Sequence, residues 1–134
     1  MNDPLHHMTR RMKIMVFLFS CFLVTSASQC PEKINQEALA KIEFDYSALD
    51  ENGLYRGERS LDYEFCIPAT EANRKTILDY EPDTRIMEKS KGRIGCTDGQ
   101  WLCIVSTHDP EWKEKLYKIA SLRYVDRIIE TVYE

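Results

Sequence analysis

The chain has 134 residues, with 22 acidic against 18 basic side chains, a net charge of −4 and five cysteines. That length holds one domain around one core. An acidic balance with no basic stripe speaks against nucleic acid as a partner, because such binding neutralises phosphates with Lys and Arg.

The first element reads as an export signal. Arg10, Arg11 and Lys13 surround the start of an apolar run from Ile14 to Val24, and the small residues Thr25, Ser26, Ala27 and Ser28 follow it. A positive region, an apolar core and small residues, in that order, make a signal-peptidase substrate. The core is 11 residues long, too short to span a bilayer. The sequence therefore predicts a cleavable secretory signal over 1–27 and a single mature domain over 28–134, secreted or periplasmic, with no transmembrane segment in the mature form. A membrane anchor is the bland alternative. Lipidation fits poorly, because Gln29 precedes Cys30 and Cys21 lies inside the apolar core. Met8 or Met12 would start a tidier signal, so His6 and His7 carry no weight as metal ligands.

Cleavage after Ala27 removes three basic residues and one acidic residue, leaving 107 residues with 15 basic and 21 acidic side chains, a net charge of −6. Four cysteines remain: Cys30, Cys66, Cys96 and Cys103. An even number in an oxidising compartment predicts two disulfides. The favoured pairing joins Cys96 to Cys103 across the Asp98-Gly99 turn and Cys30 to Cys66. Wide, irregular spacing speaks against zinc, and no metal or cofactor is expected.

Ile34, Ala38 and Ile42 recur at helical spacing and predict a short helix. Phe44, Tyr46 and Ala48 then alternate with Glu43, Asp45 and Ser47, which predicts a half-buried strand over 42–49. Asp50 to Gly53 make a turn, and Leu54-Tyr55 begin a return strand. Leu61, Tyr63, Phe65 and Ile67 alternate with Asp62, Glu64 and Cys66, the clearest strand in the chain, closed by Pro68. Thr70 opens a helix that Pro82 stops. Short strands are expected at 84–87, 93–97 and 102–105. Asp109-Pro110 start a last helix. Its apolar residues form two conflicting faces, Trp112-Leu116-Ile119 and Leu122-Val125-Ile129-Val132, so a break near Ser121 predicts a pair of helices. The fold class is α+β: a small antiparallel sheet of four or five strands packed against helices on one face.

No motif carries a recognisable chemistry. Gly92-Arg93-Ile94-Gly95 lacks the lysine-hydroxyl ending that holds phosphates. His108 is the one histidine of the mature chain, and a thiol or acid-base hydrolase would have to use it with Cys66 or Cys96. An exposed loop histidine is the plainer reading. If strands 42–49 and 61–67 are neighbours, Glu43, Asp45, Asp62 and Glu64 share one sheet face, and opposed carboxylates there call for a cationic partner. Trp101, beside a turn, is a natural interface anchor. These five residues form the expected binding surface of a small exported protein-binding domain, of the inhibitor or immunity-factor kind, directed at a basic exported enzyme. A structural component of the cell envelope is a third possibility.

Overall fold

A computed structural model describes residues 35–133. The first helix, α1 (Gln36–Ala40), is capped by the Asn35 side chain, which accepts from the Glu37 amide at 3.0 Å. A two-stranded hairpin follows, β1 (Leu54–Tyr55) and β2 (Arg59–Ser60). Next come β3 (Asp62–Pro68), α2 (Glu71–Tyr80), β4 (Arg85–Met87), β5 (Gln100–Ser106), α3 (Trp112–Ala120) and β6 (Ile128–Glu130). β3 to β6 form one antiparallel sheet in the order β4-β5-β3-β6. The architecture is α+β, as the alternating strands and separate helices predict.

The pleat of the sheet divides its residues into two faces. Tyr63, Phe65 and Ile67 of β3, with their β5 partners Val105, Cys103 and Trp101, point to the helix side. There they meet Ile77 of α2, Trp112, Leu116 and Ile119 of α3, Ala38 of α1, and Val125 in one core. The expected helix at Thr70 is present, with the Thr70 hydroxyl accepting from the Asn73 amide at 3.2 Å. The other face carries Asp62, Glu64 and Cys66 opposite Ser106, Ile104 and Leu102. The loop over 88–99 covers part of this second face, where Ile94 and Cys96 pack on Leu102 and Ile104.

Three elements differ from expectation. The segment around 42–49 is not a strand. It touches the sheet through one parallel bridge, Ile42 with Ile128, and then turns into a 3-10 helix over Tyr46–Ala48. Asp45 causes the turn, its carboxylate accepting from the Ser47 amide at 3.1 Å and the Ser47 hydroxyl at 2.6 Å. Phe44 and Tyr46 still reach the core, where Phe44 stacks on Tyr63 with ring centroids 5.9 Å apart. The 93–97 strand is absent too. Gly92 and Gly95 have φ of 59° and 80°, and both the Gly95 and Cys96 amides donate to the Lys91 carbonyl, so the backbone coils instead of extending. Finally, Ser121 closes α3 rather than opening a second helix, its hydroxyl donating to the Tyr117 carbonyl at 2.8 Å. Beyond it the β-branched stretch Ile128–Glu130 completes the sheet as an edge strand.

The disulfide pairing is also corrected. Cys66 bonds to Cys96, with Cα atoms 5.6 Å apart, and Cys103 is a buried free thiol. The hairpin that was to place Cys96 opposite Cys103 does not form. Cys96 lies in the loop on the second face, whereas Cys103 points into the helix-side core. Cys66 is therefore not available to Cys30, which lies outside the described residues, as does the expected signal at 1–27.

Candidate functional site

Two turns meet over the open part of the second sheet face. The α2–β4 turn brings Glu81 and Asp83, and the β5–α3 turn brings His108 and Asp109. With Asp62, Arg85, Ile104 and Ser106 from the strands they line a cleft of about 270 Å³. Thr107 fixes the β5–α3 turn: its buried hydroxyl donates to the Gly53 carbonyl at 2.6 Å and accepts from the Leu61 amide at 3.0 Å.

Charge is distributed unevenly in the cleft. Lys115, from α3, stands between Asp109 at 2.6 Å and Glu81 at 3.0 Å, and the Glu81 residue is only 6% exposed. The hydrogen bond from Lys115 and a second from the Glu111 amide hold the Asp109 carboxyl below its ordinary range. Reciprocally, the Asp109 bond raises the Lys115 ammonium. Arg85 reaches Asp62 at 2.6 Å, and the Tyr133 hydroxyl lies 2.5 Å from both Arg85 and Asp62. Its bond to Asp62 raises the Tyr133 phenol. Asp83 has no ion pair among the described residues. Four carboxylates thus face two cations, Arg85 and Lys115.

Of the five expected surface residues, only Asp62 lines this cleft. Glu43 is exposed elsewhere and pairs with Arg127 at 2.8 Å. Asp45 is used as the cap of the 3-10 helix. Glu64 is 2% exposed, and its carboxylate accepts from the Ile94 amide at 2.7 Å, so it anchors the 88–99 loop instead of facing a partner. Trp101 is half-buried on the helix side, with the Arg74 guanidinium 4.4 Å above its ring. Asp62 and Glu64 share the second sheet face, but Glu43 and Asp45 do not join them there, because the 42–49 segment never pairs with β3 as a strand.

Sequence reasoning missed Glu81, Asp83, Arg85, Asp109 and Lys115 as neighbours. Glu81-Pro82-Asp83 and His108-Asp109-Pro110 each sit at an element junction, where functional loops concentrate. That they converge depends on β4 lying beside β5, which no local pattern reveals.

His108 is exposed, and its ring makes no hydrogen bond among the described residues. Both thiols proposed to serve it, Cys66 and Cys96, are bonded to each other. The remaining described cysteine, Cys103, is fully buried, and burial pushes its thiol up to about 12. Neither cysteine of the thiol-hydrolase expectation is thus free to form a thiolate. Among the described residues no cluster of His, Cys, Asp and Glu converges to hold a metal ion, and no helix is long and apolar enough to cross a membrane. Comparison of the chain with protein-family models, curated proteins and solved structures finds no match to any of them.

Proposed function

We propose that this is an exported protein-binding domain, of the inhibitor or immunity-factor kind, whose cleft receives a basic side chain from its partner. The observation that carries the reading is the surplus of carboxylates in the cleft, with Asp83 exposed and unpaired among the described residues. Asp62 and Asp109 are already held in place by Arg85 and Lys115, so an incoming ammonium or guanidinium meets fixed acceptors and orders little. Charge of this kind steers encounter more than it sets final affinity. The Cys66–Cys96 disulfide supports an oxidising compartment, and the signal-like 1–27 segment supports export.

The test is affinity capture from the exported fraction with the processed domain, followed by titration of the recovered protein. A basic partner bound in a salt-sensitive manner is expected, with affinity reduced about tenfold by Asp83→Lys, a change of about 1.4 kcal/mol, and no change in melting temperature. Equal binding by the wild type and Asp83→Lys would sink the cleft as the contact.

A further inference from the structure

The cleft is acidic, but one projecting element has the opposite character. We propose that the tip of the β1–β2 hairpin, where Arg56 and Arg59 flank Tyr55, is a second recognition element that docks on a carboxylate-rich surface of a protein partner. This stands independently of the cleft reading.

The hairpin places both guanidiniums on one ring. Tyr55 and Arg59 are directly opposed across the strands, and Arg56 follows Tyr55 in the turn. The guanidinium carbons lie 5.2 Å (Arg56) and 5.5 Å (Arg59) from the Tyr55 ring centroid. The ring attracts each cation, yet the two cations repel each other. Neither has a carboxylate within ion-pair distance among the described residues, and Glu58 in the same turn pairs with neither. Arg74, Arg85 and Arg127, by contrast, are all paired. Carboxylates on an incoming surface would supply the partners that neither fork has among the described residues.

The backbone shows the same bias toward presentation. Arg56 has φ 53° and Gly57 φ 71°, and the Glu58 amide donates to the Tyr55 carbonyl at 3.1 Å. Two positive φ values make the primed hairpin turn, whose first central position favours Asn, Asp or Gly. Arg56 is the sole non-glycine residue with positive φ among the described residues, a costly place for a long side chain. Residues 56–59 are all exposed, and a Cβ added at Gly57 would meet nothing within 4 Å. A projecting tip of Arg and Tyr has the composition of an interface hot spot, which favours a protein surface as occupant.

The experiment is a heteronuclear NMR titration of the processed chain with a hexaglutamate peptide at low ionic strength. Shifts confined to the amides of residues 54–60 are expected. Arg56→Gln/Arg59→Gln should weaken the peptide about tenfold, about threefold per lost exposed ion pair, and leave the remaining spectrum unchanged. Arg56→Asn should weaken binding while raising the melting temperature, because Asn suits the turn; a purely structural arginine would not separate the two readouts in this direction. Absence of shifts, or shifts that persist in the double variant, would overturn the proposal. So would equal shifts from inorganic phosphate at matched ionic strength, or binding to phosphatidylglycerol vesicles without binding to the peptide.

Discussion

Gly53 lies so close to Thr107 that a Cβ built on it would stand 1.6 Å from the Thr107 carbonyl oxygen. The Thr107 hydroxyl returns the contact by donating to the Gly53 carbonyl, and Trp112 Nε1 donates to the Asp50 carbonyl at 3.0 Å just before it. This junction seats the hairpin on the turn that carries His108 and Asp109. Gly53 also has φ 73°. Gly53→Ala should therefore destabilise the domain by at least about 2 kcal/mol, combining left-handed backbone cost with backbone overlap. Chemical denaturation checks it; a loss below about 0.5 kcal/mol would show that the junction yields.

Removing the disulfide should cost more. It closes a loop with a sequence separation of 30, for which chain entropy gives about 3–4 kcal/mol. Cys66→Ala/Cys96→Ala should lose roughly that much in urea melts. Cys103 should resist alkylation in the native state at mildly alkaline pH and react only in denaturant, as peptide mapping would reveal.

Glu64 supplies a different test. Glu64→Gln keeps an oxygen that can accept from the Ile94 amide, whereas Glu64→Leu leaves that amide without its acceptor. The Leu variant should be less stable than the Gln variant by about 1–3 kcal/mol, with hydrogen exchange at Ile94 sharply faster. Equal stabilities would mean that the carboxylate does not anchor the loop.

The Lys115 pair sets a pH window. Asp109 is held below its unfolded value, so its contribution is present above about pH 4 and fades as pH falls through the lower folded value. Lys115 is raised, so its contribution is present below about pH 10.4 and fades as pH rises through the higher folded value. Lys115→Met should flatten the acid limb of the stability profile below about pH 4. An acid limb identical to the wild type's would show that the pair does not drive it.

Much of the fold is legible locally. Alternation from Leu61 to Ile67 marks β3 because one side of it packs on helices, and Thr70 with Pro82 brackets α2 because a hydroxyl cap and a missing amide act on the nearest turn. The misread segments share another property. At 44–48 the alternation is real, but Asp45 bonds its own backbone and wins over a ladder. At 122–132 the apolar spacing fits a helix by coincidence, while the edge of β3 selects a strand. The candidate site was barely legible: of the expected surface residues only Asp62 lines the cleft, and its neighbours there arrive from turns distant in sequence, ordered by the sheet.

The placement of the cysteines has a chemical consequence. Cys66–Cys96 lies on one side of the sheet and the Cys103 thiol on the other. Thiol–disulfide exchange requires a thiolate to approach a bridging sulfur directly. Here the β3–β5 ladder stands between them as an insulator, and burial keeps Cys103 protonated. An odd thiol can thus persist beside a disulfide without scrambling it, provided the sheet closes before the thiol is exposed to oxidant. Reshuffling should then belong to the unfolded chain alone, which makes the rate of sheet closure, rather than the strength of the bridge, the guardian of the native pairing.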